Sequence, residues 1–198
     1  MSIGKAPPSD HLEASRLWVQ TMFGVHKRYK TALRHLDRCL ESVASYEHSF
    51  LLSKAGLLSN MERWSELADL IILLLHRYPN DPEVFLNAAD LLKAHGSWLA
   101  AVGMARKAKR SLRVGKFTFL GLPARYLEES ILMTEVECLY ALGRCQMARR
   151  VAVQVLSRRP RMSVLRAVNL QIRLGTLKIE PWAPKRAPYL RRMQQLAT

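Results

Sequence analysis

Ionisable and nucleophilic side chains occur throughout this chain, but none of them falls in a spacing that known catalytic sites use. The six histidines stand singly, at positions 11, 26, 35, 48, 76 and 95. The sequence contains no Gly-rich phosphate loop, no Gly-x-Ser-x-Gly elbow and no His-Glu-x-x-His helix. We therefore expect a protein without catalytic residues and without a cofactor.

Two cysteines and four carboxylates come nearest to a metal or acid–base site. Cys138 and Cys145 are seven residues apart, whereas zinc sites place ligand pairs about two to four residues apart. We expect both thiols to be free and buried, with no metal bound. The carboxylates form one cluster, which we expect to be exposed and to balance nearby arginines on a helix: Glu128, Glu129, Glu135 and Glu137.

The elements that must position these side chains are predicted to be helices. Apolar residues recur at helical spacing almost everywhere between Leu12 and Leu174, and strand signals are nearly absent. The breaks have local causes, because Asp81 can cap a helix in which Pro82 takes the first position. Gly96 and Gly143 fit tight turns between helices, since glycine tolerates the left-handed conformation.

An internal repeat organises these helices. Trp64 and Trp98 are 34 residues apart, and the same period brings Ala55 onto Ala89 and Leu58 onto Leu92. A further unit fits if 13 residues are inserted, because a shift of 47 residues aligns Gly96 with Gly143 and Ala101 with Ala148. Pro79 and Pro160 are 81 residues apart, which is one period of 34 plus one of 47.

On these residues the chain resembles the tetratricopeptide repeat family over roughly residues 12–174. The best-matching unit is Asp81–Arg113, while Cys145 replaces the aromatic residue expected in the last unit. The resemblance implies an all-α, right-handed solenoid of about four hairpins, with Trp64 and Trp98 as core wedges and residues 162–174 as a capping helix. The implied organisation is an N-terminal arm over 1–11, a repeat domain over 12–176 with an insertion around 109–126, and a basic Pro-rich tail over 177–198.

The resemblance and the helical spacing together predict a groove along the first helix of each hairpin. Apolar and polar residues mix on this face, which suits an amphipathic helix or an extended segment of another protein. Ser49, Ser59, Glu83 and Glu137 fall on this face. The predicted groove residues that contact the partner are Leu52, Leu86, Asn87, Asp90, Lys93, Met133 and Tyr140. Leu52 and Leu86 stand where carboxylate-clamping members of the family carry basic residues, so a C-terminal carboxylate is not the expected ligand.

The whole net charge of +15 lies in the second half of the chain. Residues 1–98 hold 11 basic and 11 acidic side chains, whereas residues 99–198 hold 20 basic and 5 acidic ones. Such a half attracts nucleic acid, acidic protein or anionic lipid. The predicted anion-contacting residues are Lys109, Arg110, Arg113, Lys116, Arg158, Arg159, Arg161, Lys185 and Arg186. Phe117 and Phe119 in the insertion leave base stacking, protein docking and local packing open.

These features predict a non-enzymatic module, such as a scaffold, an assembly factor or a secretion-type chaperone, that holds a segment of a partner protein. The alternative is an RNA-associated structural component of a ribonucleoprotein that uses the basic C-terminal half. No apolar run approaches the roughly 20 residues of a membrane span, so none is expected. Three cysteines do not make a disulfide framework, and we expect a cytoplasmic protein, with organellar import left open.

Overall fold

The computed structural model describes residues 28–42, 47–114, 124–158, 163–183 and 187–197. Regular structure in these ranges is entirely helical, which confirms the all-α prediction. The helices are α1 (Tyr29–Ser42), α2 (Glu47–Asn60), α3 (Trp64–Arg77), α4 (Pro82–Ala94), α5 (Trp98–Val114), α6 (Ala124–Ala141), α7 (Cys145–Arg158), α8 (Ser163–Leu174) and α9 (Pro188–Ala197). None of these helices is both long enough and apolar enough to cross a bilayer.

The chain divides into two compact units, Met1–Leu67 and Ala68–Thr198, with the boundary inside α3. In the first unit α1 packs against α2. Ala32 and Leu36 of α1 and Ala55 of α2 have no exposed surface, which agrees with their apolar spacing. The Nζ atom of Lys54 lies 2.6 Å from Oδ1 of Asp37 and links the two helices at their surface.

In the second unit, the start of α4 forms as its residues predict. Asp81 is the N-cap, and its Oδ1 atom accepts from the backbone N–H groups of Glu83 at 2.8 Å and Val84 at 3.3 Å. Pro82 occupies the first helical position, where its missing N–H leaves no donor without a partner. The capping of α4 was therefore predictable from residues 78–82 alone.

The two predicted glycine turns are also confirmed. Gly96 and Gly143 have φ values of +74° and +73°, in the left-handed region. The backbone N–H groups of Ser97 and Arg144, which follow these glycines, each donate to a carbonyl in the preceding helix at 2.9 Å. These bonds satisfy carbonyl groups that the helix ends leave over.

Each helix from α4 to α8 packs against the next one along the chain, and α4 also packs against α6. The hairpins α4–α5 and α6–α7 are therefore adjacent through their first helices. Trp64, Trp98 and Cys145 each occupy the first residue of a helix, α3, α5 and α7 respectively. This shared position matches the predicted repeat register, although both tryptophans are half-buried rather than fully enclosed.

The C-terminal residues form a longer helix than the single turn over Tyr189–Gln195 that the sequence allowed within the basic Pro-rich tail. After Gly175 the chain runs without helix to Ala183, and α9 then packs against α4 and α5. Leu190, Met193 and Ala197 of α9 are buried. Their spacing of three and four residues makes one helical stripe, and Pro188 opens the helix instead of preventing it.

Candidate partner-binding face

Two side-chain links join α4 to α6. The Oγ1 atom of Thr134 donates to Oδ1 of Asp90 at 3.1 Å. The Nζ atom of Lys93 donates to Oε2 of Glu137 at 3.1 Å and lies 3.4 Å from Oδ1 of Asp90. Because these partners are 44 residues apart in the sequence, the links hold the first helices of two successive hairpins in one register.

Helical spacing gathers further residues around these links. Asn87 lies four residues after Glu83 and three before Asp90, so the three share one side of α4. Met133, Glu137 and Tyr140 share one side of α6 for the same reason. We call this surface the α4–α6 face, and it comprises Glu83, Asn87, Asp90, Lys93, Met133, Thr134, Glu137 and Tyr140.

Five of the seven predicted groove residues belong to this face and are partly exposed: Asn87, Asp90, Lys93, Met133 and Tyr140. The other two do not. Leu52 and Leu86 are only 3% and 8% exposed, so they belong to the core of their respective units. Leu86 lies one residue from Asn87, and the packing of α4 turns it inward. Its apolar side chain is therefore explained by burial and does not signal a partner.

Glu83, which the sequence also placed on this face, lies in the first turn of α4. Its Oε2 atom is buried and has no hydrogen-bond partner among the described residues. Burial and the nearby carboxylate of Asp81 raise the pKa of Glu83 to about 8.

Lys93 is the principal cation of the α4–α6 face. Desolvation acts to lower the pKa of Lys93, but the carboxylates of Asp90 and Glu137 outweigh that effect and raise it. The ammonium group also lies 5.7 Å from the centre of the Trp182 ring, within the range of a cation–π contact. Lys93 is thus held by three groups, and it neutralises carboxylates rather than offering a free positive charge.

Residues 182 and 183 of the C-terminal segment lie against the C-terminal end of α4, at one end of this face. The backbone N–H groups of Trp182 and Ala183 both donate to the carbonyl of Ala94, the last residue of α4, at 3.0 Å. Beyond them, the hydroxyl of Tyr189 lies 2.8 Å from Nε2 of His95. Trp182 itself remains 56% exposed, so its ring borders the face without filling it.

Known families, curated proteins and solved structures gave no match to this chain. The geometry of the described residues is therefore the basis for assigning a function. In that part of the chain, no three His, Cys, Asp or Glu side chains are grouped so that they could hold a metal ion.

The two cysteines and the carboxylate cluster that came nearest to a metal or acid–base site differ in how far they are buried. Burial raises the pKa of the Cys138 thiol to about 12, with Lys93 acting in the opposite direction. Cys145 is exposed, contrary to the expectation that both thiols are buried. Glu135 also differs from the expected exposed carboxylate, because its side chain is only 4% exposed and lies 2.9 Å from Nε of Arg106 and 3.4 Å from Nζ of Lys109.

The predicted anion-contacting residues are only partly described. Lys109 is engaged by Glu135, whereas Arg110 is exposed. Arg113 and Arg158 belong to helices, but their side chains are not described. The rest lie outside the described residues: Lys116, Arg159, Arg161, Lys185 and Arg186, together with Phe117 and Phe119 of the insertion. The prediction omitted several exposed arginines, among them five on α7 and α8 and just before α7: Arg144, Arg149, Arg150, Arg166 and Arg173.

Proposed function

We propose that this protein is a non-enzymatic interaction module of the tetratricopeptide-like type, and that its α4–α6 face holds a segment of a partner protein. The sequential packing from α4 to α8, with α4 also against α6, supports a repeat-like stacking of the hairpins α4–α5 and α6–α7. In such an array the first helices of the hairpins line one continuous surface. The scaffold, assembly-factor and chaperone roles all depend on that surface.

One observation carries the proposal. The links from Asp90 to Thr134 and from Lys93 to Glu137 fix the two helices, while Oε2 of Glu83 stays buried without a partner beside them. An unsatisfied buried polar atom is costly and is stabilised when a donor reaches it. A bound segment that brings a donor to Glu83 would remove that cost.

The charges of the face indicate the chemistry of the segment. The carboxylates of Asp90 and Glu137 stand against the single ammonium of Lys93, while the carboxyl group of Glu83 is mainly protonated at neutral pH because its pKa is raised to about 8. Met133 and Tyr140 add partly exposed apolar surface on α6. The segment that fits is therefore one with a lysine or arginine for the carboxylates and an apolar side chain for Met133 and Tyr140.

The experiment is site-directed photo-crosslinking in cells. A crosslinking residue at position 87, in the face, is expected to form a protein adduct, and the Met133→Ser/Tyr140→Ser variant is expected to lower its yield by about tenfold, since a few anchors carry most of a binding energy. The control places the crosslinker at position 73, where Leu73 is 40% exposed on α3. Equal adducts at both positions, or a yield that the serine variant leaves unchanged, would contradict the proposal.

RNA binding by the basic half is the second candidate function, favoured by the five exposed arginines at 144, 149, 150, 166 and 173. Phosphate contacts make affinity fall with salt, with a slope of roughly −0.7 to −0.9 per contact in a logarithmic plot. A salt titration with single-stranded RNA measures this directly. An affinity for RNA that does not change with salt would contradict RNA binding through phosphate contacts, and partner-protein binding would then be the one remaining candidate function.

A further inference from the structure

The last helix of the packed series, α8, has two apolar faces. Leu165, Val168 and Ile172 form the buried face, and α8 packs against α7. A second stripe is exposed, with Val164 at 64%, Leu170 at 53% and Leu174 at 66%. Ala167 is exposed in the same stripe. Helices that close a repeat array present a polar outer face, so this stripe does not fit the predicted capping role.

The charged residues near the stripe in the sequence are all basic. Arg166 and Arg173 of α8 are exposed, and the sequence has nine basic residues and no acid between Glu137 and Glu180. A second copy of this chain would bring the same positive charge against itself. The complementary occupant is therefore acidic.

The apolar residues of the stripe distinguish a protein occupant from a nucleic acid. Helices α7 and α8 contain no aromatic residue on which a base could stack. Exposed valine and leucine instead match the apolar side of an amphipathic helix. Arginines beside aliphatic side chains thus favour acidic protein over RNA at α8.

We propose that the outer face of α8, formed by Val164, Ala167, Leu170 and Leu174 with Arg166 and Arg173 along one side, docks an acidic amphipathic helix of a partner protein. The ten-residue separation of Val164 and Leu174 spans about 15 Å, so the docked helix has about three turns. Its apolar residues recur at every third or fourth position, and glutamate or aspartate flanks them. This site is separate from the α4–α6 face and stands whether or not that face binds a partner.

The test measures fluorescence anisotropy of a labelled peptide of about 14 residues, with leucine at positions i, i+3, i+4 and i+7 and otherwise mostly glutamate and alanine. A scrambled peptide of the same composition is the peptide control. Leu170→Ser/Leu174→Ser should weaken binding of the amphipathic peptide by about tenfold or more. Leu99→Ser, at a residue 62% exposed on α5, should leave it unchanged.

A charge exchange provides the second measurement. Arg166→Glu/Arg173→Glu should weaken binding of the glutamate peptide and strengthen binding of the matching lysine peptide, with helicity unchanged by circular dichroism. Unchanged affinity in the leucine variant would overturn the proposal. The proposal would also be overturned if single-stranded RNA displaced the peptide and the affinity for that RNA fell in the arginine variant but not in the leucine variant. A dimer in sedimentation that the leucine variant abolishes would instead make a second copy the occupant.

Discussion

At the scale of single residues, two effects act in opposite directions on the ionisation of Glu83. It lies in the first turn of α4, where the helix dipole stabilises a negative charge. Desolvation and the carboxylate of Asp81 nevertheless raise its pKa from 4.5 to about 8. The native protein therefore holds Glu83 mainly protonated at neutral pH, whereas the unfolded chain releases that proton.

This difference makes stability depend on pH. Between the unfolded pKa of 4.5 and the native pKa of about 8 the native state holds the extra proton, so the free energy of unfolding falls as pH rises through that window. Glu83→Gln removes the carboxylate and should stabilise the protein by on the order of 2 kcal/mol at pH 8, with little gain near pH 4.5. Urea unfolding at both pH values measures the difference.

Glu66→Gln is the control, because Glu66 occupies the first turn of α3 and is exposed. It should give no gain that grows with pH. If Glu83→Gln stabilised the protein equally at pH 4.5 and pH 8, or not at all, the raised pKa would be wrong.

At the scale of elements, the docking of α9 depends on a glycine in another helix. A Cβ atom at Gly103 of α5 would lie 2.9 Å from the carbonyl oxygen of Ala197. The Nζ atom of Lys107, one turn further along α5, donates to the carbonyl of Leu196 at 2.9 Å. Helix α5 thus receives the end of α9 closely and satisfies one of its last carbonyl groups.

Gly103→Ala should therefore displace the end of α9, because the contact is with backbone that cannot rotate away. The amide protons of residues 190–197 should exchange faster, by about tenfold, in hydrogen-exchange mass spectrometry. Gly56→Ala is the matched control in α2, where an added Cβ meets nothing within 4 Å. That change should stabilise its helix by about 0.5–1 kcal/mol. Unchanged exchange in Gly103→Ala would show that α9 tolerates the methyl group.

At the scale of the whole molecule, the uneven charge decides which surfaces attract polyanions. The basic excess lies in residues 99–198, and part of it is neutralised where Arg106 and Lys109 meet the buried Glu135. The exposed arginines at 144, 149 and 150 lie in a stretch that contains no acid. They should contribute more to long-range attraction than an equal number of cations in residues 1–98, whose net charge is zero.

Retention on a heparin column tests this asymmetry. Arg144→Gln/Arg149→Gln/Arg150→Gln should elute at clearly lower salt than the unaltered protein, because each lost phosphate or sulfate contact reduces the salt dependence by about one counterion. The control removes three exposed cations from α1, with Lys30→Gln/Arg34→Gln/Arg38→Gln. Equal shifts for the two triple variants would mean that retention follows total charge only.

The sequence predicted the parts of the candidate face that depend on neighbouring residues. The sequence put Asn87 and Asp90 on one side of α4, because helical spacing alone decides that position. It misassigned Leu86, which is only 8% exposed, because a residue at the edge of an apolar stripe turns inward or outward according to what packs beside it. Lys109 was predicted to contact external anions because the sequence does not show which residue packs beside it. Its partner, the buried Glu135, lies 26 residues away.

The sequence by itself determined the all-helical class, the capping of α4 by Asp81 and the turns at Gly96 and Gly143, because each depends on a few adjacent residues. The tertiary structure alone decided that α9, Pro188–Ala197, packs against α4 and α5. The contact of Tyr189 with His95 joins residues 94 positions apart, and no local pattern specifies such a pairing. It forms because α4 and α5 leave apolar surface that Leu190 and Met193 can cover, and burying that surface outweighs the entropy of ordering the segment.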